Sequence, residues 1–139
     1  MRVFLDTNVL ASSIATRGLC AELLESVIHD HEVLTSEDVL RELERVLADK
    51  LRLPAAVIAG FLDLIRTEAR LVASAPLRRF TIKDATDVPI LASAMDGQAD
   101  VFVTGDKELL DLRNIEGLAV LSPRDLWIRL AGLEGRRKP

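Results

Sequence analysis

The sequence contains a single cysteine, Cys20, so no disulfide can form within the chain. No apolar run approaches the roughly 18 to 20 residues that a helix needs to span a bilayer. Met1 leads directly into the short apolar run Val3-Phe4-Leu5, without the longer hydrophobic region of a secretory leader. These absences argue against a secreted or membrane-spanning protein, and we expect a cytoplasmic protein with no membrane partner.

Aromatic residues are also scarce, since the chain has four phenylalanines, one tryptophan and no tyrosine. Base stacking on aromatic side chains is therefore expected to contribute little to any contact with nucleic acid. The glycines form neither of the standard Gly-rich phosphate-binding loops. The two histidines, His29 and His31, fall in a predicted connection at the amino end of a strand. No nucleotide-cofactor motif or nucleophilic triad therefore competes with the acidic residues of the chain.

The length of 139 residues fits one domain with a continuous core and is too short for two independent domains. We expect one domain over residues 1–133, followed by a flexible basic tail over residues 134–139. The net charge of −4 would ordinarily argue against a nucleic-acid partner, because such partners attract positive charge. Four carboxylates gathered at one cation site would account for this whole excess, so the charge leaves the partner open.

The pattern of apolar residues predicts strands that alternate with helices along most of the chain. Strands are predicted near residues 3–5, 32–35, 71–73, 101–104 and 120–121, and helices after Asp6 and over 19–29, 37–50, 54–65, 90–97, 107–112 and 123–130. The strands are continuously apolar, which is typical of a mostly parallel sheet with helices on both faces. Residues 74–83 are interpreted as a surface loop. The sequence therefore predicts a single α/β domain.

Acidic side chains follow two of the predicted strands at the point where each strand ends. Asp6 comes directly after the first strand, and Asp106 follows the run Val101-Phe102-Val103-Thr104-Gly105. In parallel sheets, functional groups collect at the carboxyl ends of the strands, so these two carboxylates are expected at the same edge. Asp87 precedes Ile90 and Leu91 by three and four residues, which places an acid on the apolar stripe of its helix. Helix capping explains Asp87 and Asp106 equally well.

A further acid lies in the helix predicted over residues 37–50. At 100° per residue, Glu42 and Glu44 fall on opposite flanks of the apolar stripe that begins at Val39. The periodicity does not choose between them, and either residue is also explained as a solvated glutamate.

Four sequence elements stand in a fixed order along the chain. They are Asp6-Thr7-Asn8-Val9-Leu10, Ser36 with Leu40-Arg41-Glu42-Leu43, Asp87 with Ile90-Leu91-Ala92, and Ala99-Asp100-Val101-Phe102-Val103-Thr104-Gly105-Asp106 with Leu109-Leu110. In this order and spacing they resemble a PIN domain, and the resemblance covers Arg2 to about Leu130. Within that family, the chain is similar to the VapC-related toxin components of bacterial toxin–antitoxin pairs. Asp6-Thr7-Asn8 alone is a weak motif, whereas four elements in order are specific.

The resemblance implies a set of site residues and a chemistry. It implies that four acids act as catalytic residues and metal ligands at one Mg²⁺ or Mn²⁺ site: Asp6, Glu42, Asp87 and Asp106. It places Thr7, Asn8 and Thr104 around these ligands, and Asp84 is a rival to Asp87. The implied activity is metal-dependent hydrolysis of phosphodiester bonds in single-stranded RNA. The implied partners are an antitoxin protein and a second copy of the chain in a homodimer.

Contacts with RNA phosphates would come from basic residues around the acids. The candidates are Arg17, Arg41, Arg45, Arg78, Arg79 and Lys107, each of which is equally explained as solvated surface.

Two other functional classes are alternatives to a nuclease. A receiver-type phosphoacceptor domain also places acids around Mg²⁺, but it needs paired acids after the first strand and a lysine after the last. Here Asp6 stands alone and no lysine follows Val120-Leu121. A non-catalytic PIN-like module that binds RNA or protein is the second alternative, although clustered carboxylates repel and a binding role alone would not require four of them. A metal-dependent nuclease assay separates all three classes.

Overall fold

The computed structural model describes residues 1–73 and 87–137, with all of their side chains except those of residues 87–89 and 133–137. These residues form six strands, seven α-helices and one π-helical turn. In chain order they are β1 (Arg2–Leu5), α1 (Thr7–Ala15), α2 (Leu19–Asp30), β2 (Glu32–Ser36), α3 (Glu37–Arg45), the π-helical turn (Val46–Lys50), α4 (Ala55–Glu68), β3 (Ala69–Val72), α5 (Asp87–Asp96), β4 (Val101–Val103), α6 (Lys107–Leu110), β5 (Asn114–Ile115), β6 (Leu118–Leu121) and α7 (Pro123–Arg137).

The described strands form one sheet in the order β3-β2-β1-β4-β6-β5. Neighbouring strands are parallel except β5 and β6, which are antiparallel. The chain first builds outward from β1 to β3 and then places β4 on the other side of β1. In sheets of this kind, ligands bind outside the carboxyl ends of the strands where the strand order reverses. That point lies between β1 and β4.

The sheet is covered on both faces. Val3, Phe4 and Leu5 are consecutive residues of β1, and all three are buried. Because successive side chains of a strand point to opposite faces, helices or loops must pack on each side of β1. On one face the rings of Phe4 and Phe102 stack with their centroids 5.6 Å apart, which joins β1 to β4 through the core. This packing fixes the two strand ends that carry Asp6 and Asp106.

Local sequence signals explain several helix boundaries. The hydroxyl of Ser36 accepts a 3.3 Å hydrogen bond from the Val39 amide and so caps α3. Pro54 precedes α4, where the missing amide hydrogen has no cost. Gly97 follows α5 in close contact with β3, since a Cβ added there would lie 2.7 Å from Cγ2 of Val72. Glycine at position 97 therefore allows the backbone after α5 to lie this close to the Val72 side chain of β3.

The predicted α/β architecture, with its mostly parallel sheet, is confirmed. Strand β3 begins at Ala69 rather than at residue 71, and α6 ends at Leu110 rather than at residue 112. The antiparallel strand β5 is not predicted by the sequence. It has two residues and stands between turns in which Arg113, Glu116 and Gly117 have positive φ, so it is too short to show a period.

Two sequence predictions concern the C-terminal residues and the segment that follows β3. The backbone of α7 is helical as far as Arg137, and the boundary between residues 133 and 134 stays a prediction. The whole of the loop predicted at 74–83 lies outside the described residues. Within ranges 1–73 and 87–137, no helix is long and apolar enough to cross a membrane.

Candidate active site

Asp6 occupies the junction between β1 and α1, at the point where the strand order reverses. Its amide donates a 2.9 Å hydrogen bond to the Val103 carbonyl of β4, which continues the pairing of the two strands. Its side chain is 5% exposed and acts as the N-cap of α1, because Oδ1 accepts a 2.8 Å hydrogen bond from the Thr7 amide. The carboxylate is thus held in place by both the sheet and the helix.

The second carboxylate oxygen of Asp6 accepts hydrogen bonds from two side chains. The Thr104 hydroxyl donates to Oδ2 at 2.7 Å, and Nδ2 of Asn8 donates to the same oxygen at 3.1 Å. Oδ1 therefore has one hydrogen-bond partner, the Thr7 amide, and Oδ2 has two. The orientation of the carboxylate is therefore fixed, while lone pairs stay available on Oδ1.

The same two side chains also bind the segment that carries Asp106. The Thr104 hydroxyl accepts a 3.0 Å hydrogen bond from the Asp106 amide, and Oδ1 of Asn8 accepts one of 3.0 Å from the Gly105 amide. Asp106 in turn caps α6, since its Oδ1 accepts from the Glu108 amide at 2.9 Å. The capping role predicted as an alternative for Asp106 is therefore present, and it coexists with a position next to Asp6.

The Asp6 carboxylate is affected by its burial and by the charge of Asp106. Burial raises the pKa of Asp6 above its ordinary value of 3.8, and the charge of Asp106 raises this pKa further. The hydrogen bonds from Thr104, Thr7 and Asn8 act in the opposite direction, because they stabilise the charged form. A bound cation would offset both the burial cost and the repulsion.

Glu42 lies on α3, which packs against both α1 and α5. It is half-buried and lines a concavity of about 350 Å³ together with Asp38, Arg41 and Arg45. Glu44 is exposed on the other flank of α3 and lines a separate recess next to α4. The two glutamates that periodicity leaves equivalent therefore have different surroundings in the structure.

Asp87 is the first residue of α5. Its side chain and the whole of Asp84 fall outside the described part of the chain, so both residues stay predictions as metal ligands. Among the side chains that the structure does describe, no group of three or more His, Cys, Asp and Glu is arranged to hold a metal ion. The described residues thus bring Asp6 and Asp106 together and place Glu42 on a neighbouring helix.

The donors around Asp6 suit a hard divalent cation. Carboxylate oxygens are the ligands that Mg²⁺ and Mn²⁺ prefer, and Mg²⁺ keeps several waters while binding only one or two carboxylates directly. The Thr7 hydroxyl is buried next to Asp6 and finds no hydrogen-bond partner among the described residues. Two adjacent carboxylates, one of them with a raised pKa, therefore fit the metal that the sequence analysis expects.

The sequence names Thr7, Asn8 and Thr104 but does not reveal what each contributes. Asn8 and Thr104 each join the end of β1 to the end of β4, whereas Thr7 contributes only its backbone amide. Sequence reasoning misses Asp38, which pairs with Arg41 beside Glu42. The i, i+3 spacing of these two residues is the signal that could have revealed the pair.

A larger apolar groove of about 530 Å³ lies away from these acids. It is lined by residues of α1, α2 and α4, including Ile14, Ile28 and Phe61. None of the predicted site residues lines it, so the chemistry and the groove belong to different surfaces.

Comparison with known families agrees with this geometry. The model of the PIN domain matches residues 2–108, which is most of the chain. The chain therefore belongs to the PIN domain family, as the sequence resemblance predicts. None of the curated proteins compared with the chain matches it.

Two solved structures share the fold. The crystal structure of VapBC2 from Rickettsia felis bound to a DNA fragment from their promoter is similar with a TM-score of 0.65 and 18% identity, covering 88% of this chain and 98% of that one. PAE2754 from Pyrobaculum aerophilum is similar with a TM-score of 0.65 and 18% identity, covering 95% of this chain and 90% of that one. At this identity the similarity establishes the fold.

Proposed function

We propose that the protein is a metal-dependent endoribonuclease that hydrolyses phosphodiester bonds in single-stranded RNA. The observation that carries this proposal is the position of Asp6 beside Asp106, at the ends of adjacent strands where the strand order reverses. Membership of the PIN domain family supports it. The fold is shared with a chain of VapBC2 from Rickettsia felis, and this similarity supports a toxin nuclease in particular.

In this proposal, Asp6, Glu42, Asp87 and Asp106 hold Mg²⁺ or Mn²⁺. When bound, such a metal supplies a water of lowered pKa and neutralises charge on the departing oxygen. The chain itself orients Asp6, because Thr104, Asn8 and the Thr7 amide all donate to its carboxylate, and these hydrogen bonds favour its charged form. Asp6 is buried, and the lower dielectric of the protein interior strengthens the attraction of its carboxylate for a cation.

The decisive experiment compares Asp6→Asn with a variant of equal charge change elsewhere. Wild type should cleave single-stranded RNA in Mg²⁺ or Mn²⁺ and stop cleaving in EDTA, and Asp6→Asn should be inactive. Asp49→Asn is the matched control, because Asp49 is exposed in the π-helical turn that follows the C-terminal end of α3. Full cleavage by Asp6→Asn, in protein free of host nuclease, would refute the site. RNA binding by wild type without turnover would instead favour the non-catalytic module.

We further propose that the partner of the protein is an antitoxin encoded next to it. The similarity to a chain of VapBC2 supports this partner. Expression of the chain alone should arrest growth of the host cell, and co-expression of the adjacent reading frame should restore growth. Growth arrest that persists in Asp6→Asn would show that toxicity does not depend on the proposed nuclease.

A further inference from the structure

We propose that Arg41 and Arg45 bind backbone phosphates of the RNA beside Glu42, and that Asp38 weakens this binding by pairing with Arg41. The inference rests on the proposed ribonuclease function and assigns the residues that bind its substrate.

The four residues of the concavity form one stripe along α3. Asp38, Arg41, Glu42 and Arg45 are spaced i, i+3, i+4 and i+7, which places them on a single face of the helix. Arg41 and Arg45 are separated by one turn, or about 6 Å along the helix axis. That separation is comparable with the spacing of adjacent phosphates in an RNA strand.

The stripe begins at the edge of the sheet where the acids lie. Helix α3 starts directly after β2, whose carboxyl end is at the same edge as those of β1 and β4 because the three strands are parallel. It also packs against α1, the helix that Asp6 caps. A strand of RNA with its scissile phosphate at the acids would therefore continue along α3.

The acids at this edge repel the phosphates of RNA, and the arginines offset this repulsion. Asp6, Glu42 and Asp106 repel every phosphate, and a metal ion compensates only for the phosphate at the site. Phosphates on either side need fixed positive charge, and a guanidinium binds a phosphate with two parallel hydrogen bonds. Two exposed arginines that line the same concavity as Glu42 provide this charge beside one of the acids.

The two arginines differ in their present partners. The Arg41 guanidinium is paired with the Asp38 carboxylate, with side chains that are 72% and 26% exposed respectively. Arg45 makes no ion pair with any residue that the structure describes. An incoming phosphate must therefore compete with Asp38 for Arg41, whereas it has no such competitor among the described residues at Arg45. Removal of Asp38 should strengthen RNA binding.

Binding is measured by fluorescence anisotropy of a labelled single-stranded RNA of mixed sequence, in EDTA and in an Asp6→Asn background that does not cleave. Arg41→Gln and Arg45→Gln should each weaken binding about three- to tenfold and reduce the slope of log K against log salt by about 0.7. Arg52→Gln is the matched control, since Arg52 is exposed beyond the far end of α3 and carries the same charge. It should change affinity less than twofold.

Substitution of Asp38 should change RNA affinity in the opposite direction to substitution of the arginines. Asp38→Asn should strengthen binding about threefold or more, because it releases Arg41. Glu44→Gln changes the net charge equally on the other flank of α3 and should have little effect. Melting temperatures verify that all variants are folded. Equal affinities for the stripe variants and their matched controls would overturn the inference.

Cleavage kinetics of the arginine variants, in protein that keeps Asp6, test the inference separately from the proposed function. Arg41→Gln and Arg45→Gln should raise KM at low salt and leave kcat within about twofold, as expected for loss of uniform binding. If wild type cleaves RNA and both variants keep its KM, the inference is wrong and the proposed function stands. If wild type neither binds nor cleaves RNA, the proposed function is wrong and the inference falls with it.

Discussion

The Thr104 hydroxyl donates to the Asp6 carboxylate at 2.7 Å and accepts from the Asp106 amide at 3.0 Å. One buried side chain thus joins two acids that lie 100 positions apart in the sequence. The hydroxyl has a donor and an acceptor role at the same time, so no apolar residue of the same shape can replace it.

Thr104→Val should therefore lower the free energy of unfolding by about 1–3 kcal/mol, because it leaves a buried carboxylate oxygen and a backbone amide with fewer partners. Thr35→Val makes the same change at a fully buried hydroxyl in β2 that has no hydrogen-bond partner among the described residues. It should be neutral or raise the free energy of unfolding by about 1 kcal/mol. Urea unfolding measures both, and equal destabilisation by the two variants would contradict the role given to Thr104.

The two flanks of α3 provide a test of the metal ligands. Glu42→Gln should lower kcat about 100-fold or more, since it removes a carboxylate proposed to hold the metal. Glu44→Gln should stay within about threefold of wild type, because Glu44 is exposed on the opposite flank. Both are measured as RNA cleavage at saturating Mn²⁺. Equal losses would show that the assignment of Glu42 is wrong.

The acids of the site should decrease stability when no metal is bound. Asp106→Asn should raise the melting temperature in EDTA by about 1–4 °C, because it removes repulsion with Asp6 and asparagine caps α6 as well as aspartate does. The same variant should gain less stability from millimolar Mn²⁺, since a weaker site contributes less binding energy to the native state. Thermal scans at one ionic strength measure both effects. A lower melting temperature in EDTA together with an unchanged metal response would leave Asp106 as a helix cap alone.

A pH-dependent contribution to stability is expected away from the site. The hydrogen bond from Arg66 holds the pKa of Glu37 below its ordinary value of 4.5. A carboxylate whose pKa is lowered by folding stabilises the protein above its unfolded pKa, and this contribution is lost as the pH falls through the folded value. Glu37→Gln should therefore melt below wild type at pH 7 and match it near about pH 2 to 3.

The matched variant for this effect is Glu68→Gln, at the exposed end of α4. It removes one negative charge but not the pairing with Arg66. A difference between Glu37→Gln and wild type that persists unchanged at low pH would show that Arg66 does not stabilise the charged form.

Periodicity and turn chemistry reveal most of the fold because they are local properties. Val3-Phe4-Leu5 and Val101-Phe102-Val103 are apolar without alternation, so the sequence indicates strands buried on both faces. The proximity of Asp6 and Asp106 is predicted by the same pattern, because the carboxyl ends of parallel strands lie at one edge of the sheet. The hydrogen bonds of Asn8 and Thr104 depend on the relative positions of two distant segments, and no local signal encodes them. The same limit applies to Glu42, whose surroundings depend on how α3 packs.

The strand order has a consequence for the protein during its synthesis. Asp6 acquires its Thr104 partner, and β1 its β4 neighbour, only after more than two thirds of the chain has been made. A nascent chain that ends at residue 73 contains β1, β2 and β3 but neither Asp106 nor Thr104, which is one of the two side chains that orient Asp6. Because pairing distant segments is slow compared with forming local helices, the acids come together late. In the proposed function, a nascent chain therefore has no complete acidic site before Thr104 and Asp106 have been synthesised.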